Sequence, residues 1–389
     1  MSLNYPLKKN VYNKTGLPEL GLRNYWYPVL ASLRLRKGRP KSVKVLGEEV
    51  VLFRNKNKIF ALNDQCAHRG ARLSEGSCLY PDSDTLTCPY HGWTYSGETG
   101  QCIAKLMEGP GITIPNEAKV KTYPVREHLG VIWLFVGDME AVPLQEDLPE
   151  CLANTDEWHT ISTWRTYHCN WRPLNDNLCY DLHAPFLHRN SPELIFQPIF
   201  PFASQVTTTP LKDAKGLGYR ALGGITETDY PGLGHFPPPR EAFWRRLRPL
   251  GRGRELDPQS SRATKRYGIK YRHMSLLPTV TLVGRPSGDY FMCRWVTPID
   301  SETTLFYSFN AFRRHSTIRT FFDRLSWILW QSWTHDLIFS DQDKKVVEEV
   351  RSDREQLSLS DAGVVAWRKF IVDNSRRPND KNLHQDLNT

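Results

Sequence analysis

No run of roughly 18 uncharged apolar residues occurs in the 389-residue sequence, and its mean hydropathy is −0.51. A membrane span is therefore not expected. The nearest approach, Phe321 to Phe339, is broken by Asp323, Arg324, His335 and Asp336. The opening MSLNYPLKKN has neither the apolar centre nor the small-residue cleavage site of a secretory signal, which points to a cytoplasmic protein. Cysteine is sparse: eight residues, at 66, 78, 88, 102, 151, 169, 179 and 293. In a long chain without a signal, free thiols or metal ligands are expected rather than a disulfide framework. Internal repeats and low-complexity tracts are also missing. The one glycine-rich motif, GLGYRALGG at 216 to 224, lacks the strand–GxGxxG–helix setting of a dinucleotide site, so neither a nicotinamide nor a flavin site is expected. Acids are in deficit, with Asp+Glu 42 against Lys+Arg 51, a net charge of +9. The densest basic patch, Arg240 to Arg254 with Arg262, Lys265, Arg266, Lys270 and Arg272 beyond it, carries no zinc-finger, RNA-recognition or helix-turn-helix signature. It reads as solvated surface or as a dock for an acidic protein, and no nucleic-acid partner is expected.

What is present is a globular balance, 40% hydrophobic and 24% charged, long enough for two cores. The first third reads as strands and turns. Ser42 to Arg54 is one β-rich run, Lys58 to Leu62 is short and apolar, and Gly130 to Val136 is a buried-strand candidate. Past Pro149 the character changes. Trp158 to Tyr167 suits a strand, and Gly216 to Arg254 reads as a long loop or lid. Strand-like runs return at Val280 to Val283, Tyr290 to Val296 and Thr304 to Phe312, and the amphipathic spacing of Thr317 to Ile338 and Lys344 to Arg354 predicts helices. Two domains follow: residues 25–140, all β, then an α+β domain over 150–389.

The strongest chemical signal is Cys66-Ala67-His68, nineteen residues, then Cys88-Pro89-Tyr90-His91. Each loop offers one thiolate and one imidazole. Zinc fingers instead group cysteines at one end and histidines at the other. The mixed pattern suits a [2Fe–2S] centre with two Cys on one iron and two His on the other, a substitution that removes negative charge and raises the potential. Gly70 and Gly92 would serve tight turns there. The other four cysteines are expected to be buried apolar groups.

A second constellation runs from Asn175 to His188 (NDNLCYDLHAPFLH). Two His and one carboxylate on one face of iron leave positions open for O2 and substrate. On a regular helix His183 and His188 would diverge by about 140°, so they converge only if the backbone is distorted, as Pro185 between them would require.

CAHRGARLSEG followed by CPYHGWTY resembles the Rieske domain of the Rieske non-haem iron oxygenases, with Cys66, His68, Cys88 and His91 at its ligand positions. LRNYWYPV (22 to 29) and VVAWRKF (364 to 370) resemble the carbazole dioxygenase oxygenase component, and Asn177 stands where vanillate and dicamba demethylases have an Asn. The resemblance covers most of the chain and is weak between about 200 and 290. It implies a terminal-oxygenase α subunit with a helix-grip catalytic domain, mononuclear Fe(II) held by His183, His188 and an acid near the C-terminus, and a role for Asn177 beside them. In Ser340-Asp341-Gln342-Asp343-Lys344-Lys345-Val346-Val347-Glu348 the family spacing makes Asp343 the ligand and Asp341 the cap of a helix opening there. The chain departs from the family at its bridging acid: Tyr180 occupies the usual position, and Asp181, one step later, is the expected bridge between His183 and a neighbouring subunit's His68 or His91, with Tyr180 and Asp176 as alternatives. The resemblance further implies a homotrimer, a separate reductase or ferredoxin, O2, and hydroxylation or oxidative demethylation of a small, often aromatic, organic substrate. A Rieske protein that only carries electrons or binds ligands is the rival from another class. A membrane is not among the expected partners.

Overall fold

The computed structural model describes residues 16–56, 58–80, 83–179, 183, 187–188, 191, 205–222, 229–230, 234–235, 271, 273–285, 287–351 and 354–377. They divide into two units, one built on Leu20–Pro149 with Thr297–Leu305, the other on Glu150–Val296 with Phe306–Ser375.

The first unit holds three antiparallel three-stranded sheets. One is β2 (Lys41–Val45), β3 (Glu48–Asn55) and β4 (Lys58–Asn63); another is β5 (Thr85–Thr87), β6 (Trp93–Ser96) and β7 (Cys102–Lys105); the third orders β1 (Tyr25–Ala31), β9 (Val131–Val136) and β8 (Val125–His128). The single run expected over 42–54 is a hairpin, because Leu46 and Gly47 both take positive φ (48° and 79°), the combination a two-residue turn between twisted strands requires. Every residue of β9 is buried, which is why GVIWLFV is uniformly apolar rather than alternating. Val51, Phe53, Phe60, Leu62, Leu86 and Tyr95 form one core that also takes in Cys66 and Cys88. The thiols thus sit at the edge of packed apolar side chains.

The second unit is a seven-stranded antiparallel sheet in the order β10-β18-β17-β16-β15-β12-β11. Its strands are β10 (Trp158–Tyr167), β11 (Gln205–Pro210), β12 (Gly216–Leu222), β15 (His273–Leu276), β16 (Val280–Gly284), β17 (Tyr290–Pro298) and β18 (Thr304–Arg313), with a two-residue pair, β13 (Asp229–Tyr230) and β14 (Gly234–His235), apart from it. The loop expected from Gly216 is corrected: its first seven residues are β12, between β11 and β15. Leu217 and Tyr219 are buried on one face, while a Cβ at Gly218 would stand 2.4 Å from the Tyr271 ring. The glycine marks close approach of an aromatic ring to a strand, not a turn. Beyond the two short strands, the rest of that expected loop, with its arginine patch, lies outside the described residues.

In the first unit a single turn, α1 (Leu144–Asp147), packs on β1. The second unit's helices are the single turn α2 (Glu150–Ala153), then α3 (Trp171–Leu178), α4 (Thr317–Ser326), a π-helix (Trp327–Phe339), α5 (Ser340–Val347) and α6 (Ala362–Asn374). α6 packs on β11 and β12, and α3 on α5. Asn170 caps α3 by accepting from the Arg172 N–H at 3.0 Å, and Ser316 caps α4 by accepting from Arg319 N–H at 3.2 Å. The helix expected over 344–354 is corrected to α5, which ends at Val347. Glu348 and Glu349 follow at the negative end of the helix dipole, and the Glu348 carboxylate instead accepts the His168 N–H at 2.7 Å.

Candidate metal centres

In the first unit the two Cys-His loops are built alike. Cys66 O accepts the Gly70 N–H at 2.8 Å and Cys88 O the Gly92 N–H at 3.2 Å, and both glycines have positive φ, 74° and 67°. At Gly92 a Cβ would lie 2.9 Å from that of Leu106. Each loop closes one turn and presents its thiol inward and its imidazole outward. Cys66 and Cys88 are buried, His68 is exposed and His91 half-buried. The imidazoles meet edge to face with centroids 4.8 Å apart, and His68 stacks on Trp93 at 4.7 Å. The Tyr95 hydroxyl accepts the Ala67 N–H at 3.0 Å and lies 3.1 Å from Cys66 Sγ, to which it can donate once that sulfur is a thiolate. Burial pushes the Cys88 thiol up, and the adjoining Cys66 adds to the shift. His91 Nδ1 is buried with no hydrogen-bond partner among the described residues. Adjoining buried sulfurs and an orphaned imidazole nitrogen are a donor set that a [2Fe–2S] cluster with two Cys and two His would satisfy.

In the second unit three atoms converge. His183 Nε2 lies 3.1 Å from His188 Nε2, and Asp343 Oδ1 lies 3.3 Å from the first and 3.1 Å from the second. Two donors about 2.1 Å from one ion and at right angles are about 3.0 Å apart, whereas tetrahedral angles would give about 3.4 Å. The triangle suits one face of an octahedral first-row cation, the arrangement that leaves positions open.

α3 ends at Leu178, five residues before His183. Leu187 N–H donates to His183 O at 2.9 Å in a separate turn. Pro185, to which the distortion was ascribed, is outside the described residues, as are Tyr180 and Asp181. Asn177, in the last turn of α3, donates to Asp343 Oδ1 at 3.2 Å. Asp176, the third candidate bridge, has its carboxylate on Arg368 of α6, at 2.6 Å from Nη2 and 3.2 Å from Nε. A cavity of about 420 Å³ between α3, α5 and α6 reaches Asn177 and His183.

Asp343 is almost fully buried. Burial disfavours its carboxylate, but the neighbouring His183, His188 and Arg294 outweigh that and hold the carboxyl well below the usual range. Three electron-rich atoms this close need a positive charge between them, a proton or a metal cation. The expected cap role of Asp341 is corrected. α5 continues the π-helix, with Ser340 N–H already donated to His335 O, so no orphan donors await a cap. Asp341 faces outward and pairs with Arg165.

Three neighbours of the triad escaped the sequence reading. Gln342 Oε1 lies 2.9 Å from His188 Nδ1, Phe339 stacks on the His188 ring at 3.6 Å, and Arg294 of β17 lies 5.5 Å from the Phe339 centroid. Only Gln342 had a signal, standing between the two acids under consideration. Phe339 closes a π-helix, a form that occurs mostly as short bulges at functional sites.

Comparison with known proteins adds the following. Residues 25–124 match the Rieske [2Fe-2S] domain, and residues 155–368 the ring hydroxylating alpha subunit (catalytic domain). Over 174 residues, 44% of this chain and 45% of the relative, the sequence is 38% identical to the terminal oxygenase component of carbazole 1,9a-dioxygenase from a Sphingomonas species. Over 181 residues, 45% of this chain and 47% of the relative, it is 33% identical to the 4beta-methylsterol monooxygenase of Methylococcus capsulatus. The chain thus spans less than half the length of these curated relatives in the matched stretch. A solved reduced complex between oxygenase and ferredoxin in carbazole 1,9a-dioxygenase is similar in fold, with a TM-score of 0.72 at 23% identity over 94% of each chain.

Proposed function

Because the chain belongs to the ring-hydroxylating alpha subunits and places a Rieske [2Fe–2S] domain before that catalytic domain, we propose that it is a terminal oxygenase. It takes electrons from a separate ferredoxin or reductase and uses O2 to hydroxylate or oxidatively demethylate a small organic, aromatic substrate. The observation that carries this reading is the 3.1 to 3.3 Å triangle of His183, His188 and Asp343. That triangle favours an enzyme over the rival electron carrier, which has no use for it.

In this reading residues 25–140 are the Rieske module and 150–389 the catalytic one. Cys66, His68, Cys88 and His91 would hold the cluster; His183, His188 and Asp343 would hold the iron. When bound, the iron supplies O2 activation and the cluster supplies single electrons. The chain's own residues do the rest. Asn177 donates to Asp343 Oδ1 and orients it, and Gln342 fixes the proton of His188 on Nδ1. Tyr95 donates to Cys66 Sγ, which lowers the electron density on that thiolate. The engagement of Asp176 by Arg368 supports Asp181, rather than Asp176, as the bridge to a neighbouring Rieske module in a homotrimer. The ferredoxin is proposed from the similar complex, and the basic net charge of +9 suits an acidic donor. The relative named for carbazole supports an aromatic substrate; the one named for a 4β-methylsterol, whose rings are not aromatic, supports only an organic one. Eight free cysteines support a reducing, cytoplasmic setting.

Iron analysis tests the reading directly: three irons per chain are expected for the oxygenase and two for a carrier. The purified protein should be inactive with NADH and O2 alone and should turn over members of an aromatic and heteroaromatic panel once a surrogate reductase is added. Replacing Asp181 by Asn should keep both metals and cut single-turnover electron transfer by orders of magnitude; full rates would move the bridge to Tyr180.

A further inference from the structure

We propose that the outer face of α4 and the π-helix is a peripheral docking surface for an anionic lipid bilayer. Eight of the 24 large hydrophobic residues exposed among the described residues fall between Ile318 and Trp333: Ile318, Phe321, Phe322, Leu325, Ile328, Leu329, Trp330 and Trp333. At 3.6 residues per turn, Ile318, Phe321, Phe322 and Leu325 share one face of α4. Arg319 and Arg324 stand on its two flanks, and Trp327, on the opposite side, is buried. Apolar centre, cationic margins and buried back are the layout of a helix lying in a membrane interface. Trp330 and Trp333, whose rings pair at 5.4 Å, are the residue type that settles at headgroup level.

Charge decides the kind of surface. From Arg313 to Phe339 the sequence has four arginines and two acids, Asp323 and Asp336. Asp323 is turned inward: its carboxylate accepts from Arg319 Nε at 3.1 Å and lies 3.9 Å from the buried His159. With Arg319 paired to Asp323 and Arg313 to Glu157, Arg314 and Arg324 are the cations of this stretch with no ion pair among the described residues, complementary to anionic headgroups. A protein partner would be expected to find about one hydrogen bond per 100–200 Å². Here two of the polar groups along the rod bond within it: Gln331 Nε2 donates to Ser326 Oγ at 2.8 Å and Ser332 Oγ to Ile328 O at 3.4 Å. A bilayer asks for no such partners. Among the described residues no helix is long and apolar enough to cross a membrane, so the contact is peripheral. The sequence expectation of no membrane partner rested on the lack of a spanning run, which leaves an interfacial face untouched.

Vesicle co-sedimentation of the full-length protein tests this without turnover, so its outcome is independent of the oxygenase reading. The protein should sediment with vesicles of equal parts phosphatidylglycerol and phosphatidylcholine. Binding should fall at least about tenfold with phosphatidylcholine alone or at high salt. Phe321→Ser with Phe322→Ser should lose at least about tenfold in binding while keeping the visible spectrum and the oligomeric mass; Ile318→Ser with Leu325→Ser is the companion pair should the first misfold. Arg319→Gln with Arg324→Gln should lose the preference for anionic vesicles. Absence of wild-type binding, equal binding by the Ser variants, or a change in oligomeric mass caused by them overturns the proposal; the last would make the face a contact between copies of this chain.

Discussion

His188 Nδ1 lies 2.9 Å from Gln342 Oε1. An amide oxygen only accepts, so the imidazole carries its proton on Nδ1 and turns the Nε2 lone pair toward Asp343, 3.1 Å away. Lone pair and carboxylate repel at that distance unless a cation lies between them. Gln342→Leu removes the acceptor and frees the ring. Mononuclear iron affinity should fall by about 10- to 100-fold with the Rieske spectrum unchanged, measured by chelator competition. Unaltered affinity would mean that packing against Phe339 alone orients the ring.

The two acids of α5 should separate cleanly. Asp343→Ala should abolish turnover and lower mononuclear iron while leaving the cluster intact. Asp341→Ala loses only its partly exposed pair with Arg165, so stability should drop by no more than about 1 kcal/mol with activity retained. Activity loss in the second variant alone would move the ligand to Asp341.

Arg368 ties α6 to α3. Its guanidinium binds Asp176 at 2.6 Å and Glu355 at 2.8 Å, and Arg172 reaches the same Glu355 at 2.9 Å. Burial pushes the Asp176 carboxyl up, and Arg368 opposes it. Arg368→Met should therefore cost about 3 kcal/mol or more in chemical denaturation, because a buried carboxylate is left without its cation. Arg368→Lys should recover only part of that, having no planar fork. A neutral Met variant would mean that Arg172 can satisfy Asp176 alone.

His273 gives a pH prediction. Burial lowers it from 6.5 to about 4, and its Nε2 donates to Leu178 O at 3.0 Å. The unfolded chain takes up the proton near 6.5, the folded chain near 4. Its contribution is thus complete above pH 6.5 and is lost as pH falls toward 4. The slope is worth about 3 kcal/mol at most, from 1.36 kcal/mol per unit. His273→Gln should flatten the fall in denaturation midpoint between those pH values; an identical profile would reject the linkage.

The sequence by itself determined the cluster loops. Cys66, His68 and Gly70, like Cys88, His91 and Gly92, lie within five residues of one another, so one turn closed at a left-handed glycine fixes each pair of donors locally. It also determined β9 and β16 to β18, whose apolar runs identify buried strands, and β10, whose aromatic and β-branched residues mark a strand although most of it is only partly buried. The tertiary structure decided whatever depended on partners far along the chain. Asp341, Gln342 and Asp343 are consecutive, and helix propensity does not distinguish them. Arg165 on one side, with His183 and His188 on the other, makes one an exposed ion pair, one the partner of an imidazole and one a corner of the triad. The same holds for Gly218, which composition assigns to a loop and the Tyr271 ring assigns to a strand. Local spacing fixes groups that a single turn brings together; a site assembled from α3, the 183–188 turn and α5 exists only once the sheet and its helices have closed the distance of some 160 residues between His183 and Asp343.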